Sequence, residues 1–226
     1  VAENLTIDDA ATRWSHTDRA GLPLLVLLHG YGADEHDLFG IVPYLPAGVA
    51  VASVAAPLTP PWPTPGRSWY PIEGLDGRSS AAVTLAAEAF LRWLDDAAPD
   101  APSVALLGFS QGAAVSLQAL RLAPERFGAI VALSGYAAPD ALPGDAHLAE
   151  VSPPVFWGRG SHDDVIPAPL IAHTAQWLPT HTSLSGRVYS GLTHSISEEE
   201  LGDVHRFLTT WVEGIGADQA DGSRPS

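Results

Sequence analysis

The 226-residue chain contains no cysteine and no methionine, and all 11 of its basic residues are arginine. Without cysteine there are no disulfides, no thiol nucleophile and no cysteine-ligated zinc; the absence fits a reducing compartment and makes the cytoplasm the expected location. Without lysine there is no Schiff-base or lysine-base chemistry. Basic charge is scarce overall, and the formal net charge is −15. A phosphate backbone would be repelled, so nucleic acid is not an expected partner. Apolar runs of the roughly 18 residues that span a bilayer are also missing, so no integral membrane contact is expected. The start, Val1-Ala2-Glu3-Asn4, lacks the basic and apolar regions of a signal peptide.

What is present reads as one globular domain: 46% of residues are hydrophobic and 16% charged. Buried strands are expected at Leu22–Leu28, Val49–Ala55, Ser103–Leu107, Gly128–Gly135, Pro153–Gly158 and Leu184–Tyr189, with an edge strand within Leu5–Trp14. Helices are expected at Leu38–Leu45 (capped by Asp34 or Asp37), Ser79–Ala97, Ala113–Leu122, Leu170–Leu178 (ended by Pro179) and Glu198–Val212. The segment from Tyr136 to Glu150 reads as a loop. The alternation predicts an α/β fold, a mostly parallel sheet with helices on both faces and no separate lid domain. Residues 1–213 form the domain, and 214–226 are expected to be a disordered tail.

Gly108-Phe109-Ser110-Gln111-Gly112 stands where a buried strand gives way to a helix, the context of a G-x-S-x-G nucleophile elbow. Glycines two residues either side of Ser110 leave room where a Cβ would collide with strand and helix. In a parallel sheet the site forms at the carboxyl ends of strands, and the triad follows the order Ser, Asp, His. Asp163 and Asp164 follow one strand end, and His194 follows the next. A serine hydroxyl needs an imidazole to take its proton, and the imidazole needs a carboxylate to fix its tautomer. Backbone N–H groups of Gln111 and Tyr31 are the candidate oxyanion donors, Tyr31 because Gly30-Tyr31-Gly32 directly follows a strand. His29 is expected to brace that loop. Metal binding through His162, Asp163 and Asp164 lacks a tight ligand spacing, so no metal is expected. The run Glu198-Glu199-Glu200 is read as the acidic first turn of a helix.

Four motifs, Leu28-His29-Gly30-Tyr31-Gly32, Gly108 to Ala113, Gly160 to Pro167 and Gly191-Leu192-Thr193-His194-Ser195, resemble the phospholipase/carboxylesterase family of α/β-hydrolases, which includes acyl-protein thioesterases and small carboxylesterases. The likeness runs from about Leu24 to Trp211. It implies a cofactor-free serine hydrolase of carboxylic esters, with lysophospholipids and thioesters as candidate substrates; the apolar and aromatic residues near the site favour short to medium acyl chains. The family's G-x-x-D-x-x-[VI]-P pattern places the acid at Asp163, although Asp164 stands where the family commonly has proline. The loop Pro57–Gly77 resembles the family's aromatic loop beside the acyl site, making Trp69 and Tyr70, with Leu38, the candidate substrate-binding residues. The partner implied is a small ester, handled by a monomer or weak homodimer. A peptidase or amidase on the same fold and a non-catalytic binding module are the alternatives.

Overall fold

The computed structural model describes residues 5–72 and 79–222, with side chains to residue 217. Seven strands form one sheet: β1 (Arg13–Trp14), β2 (Leu24–Leu28), β3 (Ala50–Val54), β4 (Val104–Phe109), β5 (Ala129–Leu133), β6 (Pro154–Gly160) and β7 (Ser183–Tyr189). Their spatial order is β1-β3-β2-β4-β5-β6-β7. Only the two-residue β1 runs antiparallel to its neighbour, and the rest pair in parallel. β2, β3 and β5 are buried at every residue, as expected of strands covered on both faces.

The α-helices are α1 (Ser80–Ala97), α2 (Gln111–Leu122), α3 (Asp145–Val151), α4 (Ala168–His181) and α5 (Glu198–Gly222). Alternate residues of each strand point to opposite faces, which divides the core in two. Leu24, Val26 and Leu28 pack with Phe90 of α1 and Leu117 of α2, while Leu25 and Leu27 pack with Val204, Leu208 and Trp211 of α5. The predicted architecture is therefore found.

Four local expectations change. The segment Leu38–Tyr44 is a 3-10 helix with Pro43 inside it, and Asp37 at its start makes no side-chain cap. Asp34 instead accepts the His36 N–H at 2.8 Å. α3 occupies part of the segment read as a loop. It is held by Arg121 of α2, a fully buried side chain that donates from Nε and Nη2 to the Asp145 carboxylate at 2.8 and 2.7 Å. That guanidinium, with the Leu142 N–H, outweighs the burial that would raise the Asp145 pKa and holds it below the usual carboxylate value. α4 runs through Pro179, which sits within its last turn. α5 continues to Gly222 although residues 214–226 were expected to be disordered; Ile215 packs against the α5-side core.

The junction of β4 and α2 is packed backbone against backbone. A Cβ on Gly112 would lie 2.0 Å from the Leu28 carbonyl oxygen, and one on Gly108 would lie 2.4 Å from the Gly112 oxygen. Neither neighbour is a side chain that can swing away. Gly112→Ala is therefore expected to destabilise the fold by about 3 kcal/mol or more. Urea unfolding measures this, and an unchanged midpoint would contradict the packing described.

Candidate functional site

Ser110 sits between β4 and α2 with φ 53° and ψ −112°, a left-handed conformation that non-glycine residues adopt at a cost of about 1–3 kcal/mol. The strain is held by the flanking glycine contacts and by the Ser110 N–H, which donates to the Leu133 carbonyl at 2.8 Å. The hydroxyl is thereby lifted above the carboxyl end of the sheet at the start of α2, where the helix dipole favours negative charge.

His194 follows β7, and Asp163 follows β6. His194 Nε2 lies 2.9 Å from Ser110 Oγ, and His194 Nδ1 lies 2.8 Å from Asp163 Oδ2. An ionised carboxylate only accepts, so Nδ1 carries the proton and Nε2 is left to accept the serine O–H. The Asp163 side chain is 1% exposed, and its other oxygen accepts the Val165 and Ile166 N–H groups at 3.0 and 3.3 Å. Burial alone would raise the Asp163 pKa, but the hydrogen bond and charge of His194, with those two amides, bring it below the usual carboxylate value. The geometry chooses between the two acids: Asp163 contacts the imidazole, whereas Asp164 is exposed.

Three hydrogen bonds, each 2.9 Å, tie the two loops together: Ser161 N–H to Tyr189 O, His162 N–H to Leu192 O, and Gly191 N–H to Ser161 Oγ. A Cβ on Gly160 would meet the Leu192 oxygen at 2.0 Å, so the His194 loop lies directly on the β6 backbone. His162, the neighbour of the acid, is exposed and turned to Ser161.

The loop after β2 brings Gly30 against Phe109 and Ser110: a Cβ there would be 3.1 Å from the Phe109 ring and 3.6 Å from Ser110 Cβ. The Tyr31 N–H, next in the chain, has no partner among the described residues. The Gln111 N–H is in the first turn of α2, where no intrahelical acceptor exists. His29 braces this loop as expected. Its Nδ1 donates to the Gly30 carbonyl at 2.7 Å, and its Nε2 accepts the Ala56 N–H at 3.1 Å. Burial lowers its pKa and keeps it neutral, against the raising effect of the Gly30 hydrogen bond.

The substrate-binding expectation fails for Trp69 and Tyr70. Both are 0% exposed and belong to the core, as Leu38 does on the other face of the sheet. The Trp69 indole N–H donates to the His29 carbonyl at 2.9 Å, and the Tyr70 and Tyr136 hydroxyls are 2.7 Å apart. The Gln111 side chain clamps both residues, accepting the Trp69 N–H at 2.7 Å and donating to the Tyr70 carbonyl at 2.6 Å. These aromatics therefore support the serine and the Tyr31 loop from below. Gly32 N–H to Arg67 O (2.9 Å) and Arg67 N–H to Ala33 O (2.7 Å) join the same two loops. Trp62, at the tip of the Pro-rich loop, is 93% exposed. Residues 73–77 of the expected Pro57–Gly77 loop lie outside the described residues.

One contact was missed in the sequence: Phe109, the variable residue of the elbow, packs on the His194 ring with centroids 4.9 Å apart. Its place beside Ser110 was the only signal. Among the described residues, one trio, Asp34, Glu35 and His36, has metal-ligating atoms within 4.8 Å of one another. It is a turn of the loop after β2, with the Asp34 carboxylate engaged by the His36 amide.

The chain is similar in sequence and fold to known thioesterases and esterases. The chain is 34% identical over 111 residues to acyl-protein thioesterase 1 of Debaryomyces hansenii, covering 48% of each chain. It is 37% identical over 112 residues to acyl-protein thioesterase 1 of Candida albicans, covering 47% of this chain and 48% of that one. These matches thus span about half the length of the curated relatives. The crystal structure of esterase PE8 superposes with a TM-score of 0.75 at 26% identity, covering 88% of this chain and 98% of that one. The model of the phospholipase/carboxylesterase family matches residues 15–212, and the chain belongs to that family.

Proposed function

We propose that this chain is a cofactor-free serine hydrolase of carboxylic esters and thioesters. The observation that carries the reading is the continuous chain from Ser110 Oγ through His194 to Asp163, with links of 2.9 and 2.8 Å, on a strained strand-to-helix turn. Ser110 Oγ attacks the acyl carbon while His194 Nε2 takes its proton. Asp163 holds the tautomer and stabilises the imidazolium. The Tyr31 and Gln111 N–H groups receive the oxyanion, and neither needs to break an existing bond to do so. His194 then protonates the leaving alkoxide or thiolate. Water, activated by the same imidazole, hydrolyses the acyl-enzyme. The intact relay speaks for catalysis over a non-catalytic module.

The thioester part of the proposal draws on relatives named acyl-protein thioesterases. A net charge of −15 favours neutral or cationic substrates over polyanions. Among the described residues no helix is long and apolar enough to cross a membrane. A cytoplasmic location is consistent with the absence of cysteine. We further propose that the enzyme works as a monomer or weak homodimer on acyl chains of short to medium length.

Rates across p-nitrophenyl esters of increasing acyl length and a matched acyl thioester test this reading. Wild type is expected to hydrolyse the shorter esters, and Ser110→Ala to lose about 10⁴-fold or more in kcat/KM. Wild-type activity in Ser110→Ala would overturn it. The choice of acid is tested separately. Asp163→Asn is expected to cost about 10³- to 10⁴-fold in kcat, and Asp164→Asn to stay within about twofold. The reverse ranking would move the role to Asp164.

A further inference from the structure

The elbow pattern fixes two glycines and a serine and makes no demand on residue 109. Yet the Phe109 ring lies against three parts of the site at once. It makes a tilted contact with the His194 imidazole, centroids 4.9 Å apart and planes at 44°, within the roughly 4.5–7 Å over which aromatic pairs attract. On the side of the Tyr31 loop, a Cβ on Gly30 would be 3.1 Å from Phe109 Cδ1 and 3.5 Å from Cε1, so the ring rests against the Gly30 backbone. Phe109 also packs on the apolar cluster of the α5 face, as do Leu192 and Ile196 from the loop that carries His194. Its own backbone is set by a strand, because Phe109 pairs with Leu133 in the β4–β5 ladder.

His194 needs such a support. Its Nδ1 is bonded to Asp163 and its Nε2 to Ser110. These bonds hold the two nitrogens but, acting in the ring plane, resist a tilt of that plane only weakly. A tilt bends both bonds, and a hydrogen bond weakens steeply as it departs from linearity. The Nε2 lone pair would then turn away from the serine proton. Residues 190–197, which carry the imidazole, lie between β7 and α5 with no helix or strand of their own. The His194 side chain is 16% exposed, so the protein does not enclose it on every side. An aromatic ring packed against it is what resists the tilt.

We propose that Phe109 is a positioning residue for His194: its ring, seated between Gly30 and the imidazole, fixes the tilt of the base and keeps Nε2 aimed at the Ser110 hydroxyl. Because one rigid ring touches both, it also sets the spacing between the base and the Tyr31 loop. The proposal rests on the hydrolase reading above.

Phe109→Leu keeps an apolar side chain and removes the flat ring, whereas Phe109→Tyr keeps the ring. With p-nitrophenyl acetate, Phe109→Leu is expected to lose about 10- to 100-fold in kcat with KM within about twofold, and Phe109→Tyr to stay within about threefold in kcat. The proton on His194 Nδ1, shared with Asp163, reads the positioning without substrate. Proton NMR is expected to show it at low field in wild type and Phe109→Tyr, and broadened by exchange with water in Phe109→Leu. If Phe109→Leu does not fold, the wild-type protein carries the test through the nuclear Overhauser contact between the Phe109 and His194 rings, which the geometry requires.

A folded Phe109→Leu with wild-type kcat and a sharp Nδ1 proton, however much its Tm falls, would reduce Phe109 to a packing residue and overturn the inference. So would a loss that Phe109→Tyr shares equally, or no contact between the two rings in wild type. An active wild type with any of these outcomes leaves the hydrolase reading standing. A wild type inactive on esters, whose Nδ1 signal is nonetheless lost in Phe109→Leu and kept in Phe109→Tyr, sinks the hydrolase reading while supporting the positioning.

Discussion

The site depends on a backbone approach that leaves no space for a side chain: the first turn of α2 lies on the end of β2 at Gly112 and Leu28. That contact forces the chain to turn sharply, and Ser110 takes up the turn in a left-handed conformation. The strain is local, and its support is spread widely. β4 and β5 hold the serine amide, and Gln111 grips the Trp69–Tyr70 segment. That segment in turn grips His29 beneath the Tyr31 loop. As the proposed nucleophile, a serine fixed this way loses little freedom when a substrate binds, which is where positioning gains its rate.

The histidine and its acid are placed by the same device at the other side of the sheet. Gly158 and Gly160 strip side chains from one face of β6, so the Glu200 carboxyl and the His194 loop can rest directly on the strand. Hydrogen bonds between the Asp163 and His194 loops make them one rigid unit. Phe109 then packs on the imidazole and links that unit to the elbow. Buried groups on the two sides are handled differently. Burial keeps His29 neutral as a scaffold, whereas Asp163 has enough donors to remain charged despite its burial.

Much of this was legible in the sequence because it is encoded locally. Ser110, His194 and the candidate acids lie in short motifs at strand ends, and chain order alone arranges them. The family pattern already pointed to Asp163; the coordinates add that Asp163, rather than the adjacent Asp164, contacts His194. Trp69 and Tyr70 were misplaced because an aromatic in a Pro-rich loop has the same pattern whether it faces a ligand or the core. Their partners, Gln111 and Tyr136, are 42 and 66 residues away. α3 escaped notice because its short helix depends on the long-range Arg121–Asp145 pair. The burial of Glu200 was hidden in a run of three like residues, of which two face solvent.

The central claim is that the Ser110 hydroxyl is activated by the geometry around it. Intact mass after exposure to a fluorophosphonate tests this without knowledge of the substrate, on wild type and on Ser110→Ala. The account predicts a single adduct on wild type and none on the variant. Folded wild type that remains unmodified, or a variant that is modified equally, would contradict it.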